Sequence, residues 1–470
     1  MTEIEAIIAR ARAAQKAFEA KAVAAGNQTQ FDLASKAVAW ALMHPQRNAQ
    51  LAEMAVAKTG LGNVADKISK NHRKTLGLLR DLEGVKTFGH ISDDKDKGIS
   101  VYLRPKGVVA AIVPSTNPLA TPTNNAVNAL KTGNAIIFAP SPKGADPMAA
   151  LLAYMHAELK KIGADPDLVQ MLPNPPSKDK TASLMAGADV LVVTGSQNNV
   201  RAAYASGTPC IGVGMGNVAT IIDETADLTV AAEKIAVSKC FDNATSCSCE
   251  NAVIVVEGVY EAVKTALAKS GGYILSPQQT TQLESLYWQD GKMNRDLMAK
   301  DVTHLIKALR ITDAGDEVSF LVAPTDKAGL PHKISGEKLA CFFALYKAKD
   351  FDAALNLAIT IQHGQGAGHS IGLHSADDSR AHAIAAIAPT CRVIVNQAHC
   401  FGTGGSFDNG LPFSLSMGCG SWGGNGIDDN FNWTHLVNHT RIARPIAEAT
   451  PSVESLLGDY WQASGHKPNG

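Results

Sequence analysis

From residue 107 onward the chain repeats one pattern: a short apolar run, a turn rich in Gly, Pro, Ser or Asn, then a segment with helical spacing. GVVAAIVP (107–114) reads as a buried strand, 117–131 as a helix, 134–138 as a strand and 147–162 as a helix. The runs at 169–172, 190–193 and 210–213 read as further short strands. Strands apolar on both faces are covered on both faces, and strands joined through helices run parallel. The pattern therefore predicts an α/β protein with a parallel sheet between layers of helix.

The pattern restarts near Ala236, with strands near 253–256, 342–345 and 393–396 and a helix at 258–270. With 470 residues the chain exceeds what one core sustains, so two units are expected. Before the strands, 2–82 reads as helical, and ISVYLRP (99–105) alternates like an edge strand or arm. The stretch 398–430 is rich in Gly and Ser and too long for a simple connection, which points to function. A returning strand is expected at 436–442, and the last residues read as a polar surface tail.

The formal net charge of −1 gives no basic surplus for nucleic acid or anionic lipid. The eight cysteines are scattered through a long chain, unlike a disulfide framework, so thiols in a cytoplasmic protein are expected. The N-terminal MTEIEAIIARARAAQKAF has helical spacing and acidic residues rather than a signal peptide's apolar core, and the apolar runs are too short to span a bilayer.

Four segments could carry chemistry. In FDNATSCSCENAVIV (241–255), small polar residues precede a buried strand, so backbone N–H groups could surround Cys247 and stabilise a thiolate or an oxyanion. The alternatives are buried structural cysteines or half a metal site, though no Cys-x2-Cys or suitably spaced His lies nearby. In VPSTNP (113–118), Asn117 is either a helix cap or an amide donor at a strand's carboxyl end. VLVVTGSQNNV (190–200) runs from strand to helix through Gly195-Ser196, a turn that can meet a pyrophosphate. GVGMGNV (212–218) requires tight turns or close backbone approach.

Taken together and in order, PSTNP (114–118), LKTGNAIIFAPSPKG (130–144), VVTGS (192–196), FDNATSCSCENAVIV (241–255) and MGCGSWGGN (417–425) resemble the CoA-acylating branch of the aldehyde dehydrogenases over nearly the whole chain. The resemblance implies a Rossmann-type cofactor domain (1–235, with an oligomerisation arm about 98–112), an α/β catalytic domain (236–424), and a return segment followed by an oligomerisation strand and a surface tail (425–470). It implies Cys247 as nucleophile, Asn117 as oxyanion donor, and Thr194, Gly195 and Ser196 at the pyrophosphate. Glu337, in GEKLACFF, would touch the nicotinamide ribose, although the Pro usual after that motif is missing. His369, in GAGHS, matches a His of the acylating branch, with a buried His bonded to backbone as the alternative. Cys249 is taken as packing, and no metal is expected.

Hydrolytic members carry a Glu near Gly212 that activates water, whereas residues 211–218 here hold no acid or base. An acyl-enzyme on Cys247 would then wait for a thiol, which implies coenzyme A as co-substrate. The polar character of 243–248 and 396–406 points to an anionic aldehyde: sulfoacetaldehyde first, with succinic semialdehyde or acetaldehyde as alternatives. Thr245, Ser246, Arg392 and His399 are the candidate anion contacts. No acid follows the strand at 135–138, and Ser141 and Lys143 could bond a 2′-phosphate, so NADP is expected, with NAD open. The arm and the C-terminal strand imply a homodimer or homotetramer. The rival readings are a hydrolytic, CoA-independent dehydrogenase and a non-enzymatic relative.

Overall fold

The computed structural model describes residues 2–465. The chain folds around two parallel sheets, each enclosed in its own hydrophobic core. In the first, five strands lie in the order Val169–Met171, Ala135–Pro140, Val108–Val113, Val190–Val193 and Cys210–Gly212. All pair in parallel. Every residue of Val108–Val113 is buried, as its unbroken apolar run dictates. From this strand the chain adds neighbours first on one side and then on the other. A crevice therefore opens between the carboxyl ends of Val108–Val113 and Val190–Val193, where open α/β sheets take ligands. Asn117 and Thr194 follow those two ends.

The second sheet has seven strands, in the order Gly272–Ile274, Phe320–Pro324, Phe342–Ala348, Glu250–Val256, Val218–Ile222, Ile371–His374 and Val393–Val395. Val218–Ile222 pairs with Glu250–Val256 and Ile371–His374. Val218–Ile222, which precedes the expected boundary at 235, thus belongs to the second sheet, because a strand's sheet is set by long-range pairing that its local sequence does not encode. Phe431 and Leu436 are fully buried in the first core, so the chain returns through that core before reaching the surface.

Gly89–Asp94, Ile99–Pro105 and Val437–Ala443 form a third, antiparallel sheet. This sheet overlaps the stretch expected as an arm, about 98–112, and begins earlier, at Gly89. Gly107 follows Ile99–Pro105 at φ +128°, where a Cβ would lie 2.3 Å from Asp189 Oδ2. Beyond Val437 the last strand is exposed, with one edge unpaired by the described residues. The expected tail contains a helix, Val453–Ser464, started by a Ser452 cap and carrying exposed Leu456 and Tyr460. No helix among the described residues is long and apolar enough to cross a membrane.

Candidate active site

The loop before Glu250–Val256 is held in an unusual backbone shape. Asp242, Asn243 and Ala244 take φ of 50°, 51° and 57° in succession. Each such residue costs about 1–2 kcal/mol outside glycine. Buried polar bonds hold the turn in place. The Asp242 carboxylate accepts from Asn63 N at 2.9 Å, Lys67 Nζ at 3.0 Å and Thr245 Oγ1 at 2.7 Å, and also from Lys70 Nζ. The two ammonium groups hold the Asp242 carboxyl below its usual range despite its burial. The loop then presents Cys247 to a cleft of about 420 Å³.

Three elements close around Cys247. A Cβ on Gly216 would lie 2.1 Å from the Cys247 carbonyl oxygen, so the 212–218 segment packs backbone to backbone against it. No side chain there can deliver an activated water. On another side His369 Nε2 lies 3.5 Å from Cys247 Sγ, while Nδ1 lies 2.8 Å from Ser370 Oγ. Behind the histidine, Arg392 donates to the His369 carbonyl at 3.0 Å, to the Gly418 carbonyl at 2.8 Å and to Asn430 Oδ1 at 2.8 Å.

Burial sets the protonation of this group. It pushes the Cys247 thiol up and holds the His369 imidazole down to about 3, with Arg392 adding to the latter effect. Glu337, which lines the same cleft, is pushed up to about 8 by burial. At neutral pH the resting pair is thus a thiol facing a neutral imidazole. In the tautomer whose Nδ1–H donates to Ser370 Oγ, Nε2 is free to accept the thiol proton.

The cleft also runs past Asn117, Thr194, Gly195, Ser196, Thr245 and Ser246. Asn117 is not a helix cap, since the following helix starts at Ala120 with Leu119 as its N-cap. Ser196 caps the helix Gln197–Ala205, leaving early backbone N–H groups of that helix toward the crevice. A sequence model described as the aldehyde dehydrogenase family matches residues 1–410. The chain belongs to the aldehyde dehydrogenase family. Over 464 residues it is 53% identical to the sulfoacetaldehyde dehydrogenase (acylating) of Cupriavidus necator, covering 98% of this chain and 93% of that one. It is 35% identical to the succinate-semialdehyde dehydrogenase (acetylating) of Clostridium kluyveri, covering 97% and 99%. The structure of an acetylating aldehyde dehydrogenase from Geobacillus thermoglucosidasius superposes with a TM-score of 0.90 at 33% identity, covering 96% and 98%.

Within this aldehyde dehydrogenase, two expected anion contacts are displaced. Arg392 turns its guanidinium to carbonyls behind His369 and does not line the cleft. His399 is fully buried, bonded through Nδ1 to Thr403 Oγ1 at 3.2 Å, with Nε2 lacking a partner among the described residues. Ser141 and Lys143 sit past the end of Ala135–Pro140, outside the cleft lining. Cys249 is buried and donates to the Ser238 carbonyl at 3.3 Å. Sequence reasoning missed Lys70, Arg73 and Lys74, which all reach the cleft from the helix Val64–Leu82. Their signal was cationic residues on a helix face that packs inward, a pattern that reads as a solvated stripe without the fold.

Proposed function

We propose that this aldehyde dehydrogenase is CoA-acylating and that its aldehyde is sulfoacetaldehyde: sulfoacetaldehyde, CoA and NAD(P)+ give sulfoacetyl-CoA, NAD(P)H and a proton, reversibly. The observation that carries this is the surroundings of Cys247: a neutral imidazole at 3.5 Å and a wall at 211–218 without any acid or base. The names of the Cupriavidus and Clostridium relatives support it. The latter keeps succinic semialdehyde as a second reading.

In this reading Cys247 Sγ bonds to the aldehyde carbon as its proton passes to His369 Nε2. The carbonyl oxygen becomes an oxyanion facing the Asn117 amide and the Cys247 backbone N–H. Losing one such donor typically raises the barrier by about 2.7–4 kcal/mol. The nicotinamide cofactor, when bound, supplies the hydride acceptor. Collapse of the tetrahedral adduct leaves a thioester on Cys247. Water lacks a base at 211–218, so the acyl group waits for the CoA thiol. That thiol loses its proton to solvent, the one proton of the overall equation, and its sulfur attacks the thioester carbon; the expelled Cys247 thiolate takes back the proton held on His369 Nε2.

The first sheet is assigned to the cofactor. The residues there suit it: Gly195-Ser196 opens a helix toward the crevice, and Ser141 Oγ is buried at a strand end without a partner among the described residues. With Lys143 beside it and no acid between 139 and 145, NADP is the preferred form. Glu337 is assigned to the nicotinamide ribose. The second sheet carries the catalytic loop. Eight free cysteines suit a cytoplasmic setting, and the exposed arm and last strand suit a homodimer or homotetramer. The test is a panel of sulfoacetaldehyde, succinic semialdehyde and acetaldehyde with CoA and each nicotinamide cofactor. The highest kcat/KM is expected for sulfoacetaldehyde with NADP. A preference for acetaldehyde would overturn the substrate, and a preference for NAD the cofactor.

A further inference from the structure

The helix Val64–Leu82 sends four cations inward, and their charges are not equally matched. Lys67 and Lys70 share the Asp242 carboxylate, and Lys70 also reaches Thr245 Oγ1 at 3.2 Å. Arg73 and Lys74 pair with no carboxylate among the described residues. Arg73 donates to Ser406 Oγ at 3.1 Å and to the carbonyls of Phe401 and Gly405 at 3.4 Å. Its guanidinium lies 4.8 Å from the Phe401 ring centroid and 5.4 Å from that of Phe413. Lys74 Nζ donates to the carbonyls of Gly404 at 2.6 Å and Ser414 at 3.3 Å. Both cations line the cleft that holds Cys247.

The acids near this cleft do not balance them. Asp242 is already engaged by Lys67 and Lys70. Burial pushes Glu337 up to about 8, which leaves it largely protonated at neutral pH. Asp408, the acid nearest Arg73 in charge coupling, is exposed. A buried ammonium without a counter-charge is disfavoured. Accordingly burial, with Arg73 and Lys70 beside it, holds Lys74 down to about 7.

We propose that Arg73 and Lys74 form the anion-recognising end of the aldehyde cleft and select substrates whose tail is a sulfonate or carboxylate. The planar guanidinium can offer paired N–H donors to two oxygens of such a group, and Lys74 a compact charge. This rests on the proposed acylating reaction only for its kinetic assay.

The test uses the full-length enzyme with Arg73→Leu, Arg73→Lys and Lys74→Met. kcat/KM is measured for sulfoacetaldehyde and for propionaldehyde, a neutral aldehyde, with CoA and cofactor saturating. The ratio of the two should fall by about 10²-fold in Arg73→Leu and about tenfold in Lys74→Met, mainly through KM for sulfoacetaldehyde. Arg73→Lys should recover part of the ratio. Ethanesulfonate, an unreactive anion, should compete with aldehyde in the wild type and protect Cys247 from alkylation, and should do neither in Arg73→Leu. If that variant does not fold, Lys74→Met decides. Ratios within about threefold of wild type in the folded variants, or ethanesulfonate protection unchanged by them, would overturn the proposal. So would a wild type that is active on propionaldehyde but neither accepts sulfoacetaldehyde nor binds ethanesulfonate. Absence of CoA-dependent activity on every aldehyde would instead overturn the acylating reading. The protection experiment would then still decide whether these two residues bind the anion.

Discussion

Cys247 Sγ and His369 Nε2 stand 3.5 Å apart, and burial keeps both groups neutral, so they rest as thiol and imidazole rather than as an ion pair. In the proposed reaction His369 takes the thiol proton. Removing the acceptor should leave a thiol with no base beside it. We expect His369→Ala to lower kcat by about 10²–10⁴-fold, with cofactor affinity by fluorescence titration little changed. Activity should recover in part as pH rises toward that of thiolate formation. A variant with wild-type kcat would remove His369 from the proton transfer.

The loop that carries Cys247 depends on Asp242, which is 1% exposed and bonded to two buried lysines. Asp242→Asn leaves those ammonium groups uncompensated. Breaking one side of a buried ion pair costs about 3–5 kcal/mol. The thermal midpoint should fall by several degrees, with loss of activity at temperatures where the chain stays folded. An unchanged midpoint would show that the left-handed turn is held by other contacts.

How much of this was legible depends on the range of the forces involved. Val108–Val113 and Val190–Val193 are apolar runs bounded by turn residues, and both stand where the local pattern puts them. The sequence reading omits Phe320–Pro324 and Ile371–His374, and its boundary at 235 separates Val218–Ile222 from the sheet that it joins. These are short segments whose partners lie up to about 150 residues away in Ile371–His374 and its neighbours. Cys247 was legible because small residues and a strand start mark its loop. Arg73 and Lys74 were not, because a cation on a helix normally faces water. Arg392 misled for the opposite reason. A cation near the pocket in sequence terms proved to bind carbonyls behind it.

His399 gives a pH test independent of catalysis. Burial, with His369 and His374 nearby, holds its imidazole down to about 3. In the unfolded chain it should titrate near 6.5. Below that pH the unfolded state binds a proton that the folded state refuses. The stability present above about 6.5 is therefore lost as pH falls toward 3, by about 2 kcal/mol at pH 5. His399→Gln should abolish this component. The stability difference between variant and wild type, from denaturant titrations at pH 7 and pH 5, should shift toward the variant at pH 5. A difference that stays constant would contradict it.

The strand Val437–Ala443 offers an edge unpaired by the described residues, next to Ile99–Pro105. Exposed edges of this kind are normally covered. Light scattering at micromolar concentration should give a dimer or tetramer mass, and deletion of residues 100–104 should reduce it or cause aggregation. A monomeric intact chain would rule this out.

Residues 211–218, which pack against Cys247, hold no acid or base to activate water, and CoA dependence measures that directly. Rapid mixing of enzyme, sulfoacetaldehyde and oxidised cofactor without CoA should release about one reduced cofactor per active site and then stop. Adding CoA should start steady turnover. Sustained cofactor reduction without CoA, at a rate comparable to that with it, would mean that water resolves the acyl-enzyme and would contradict the acylating mechanism.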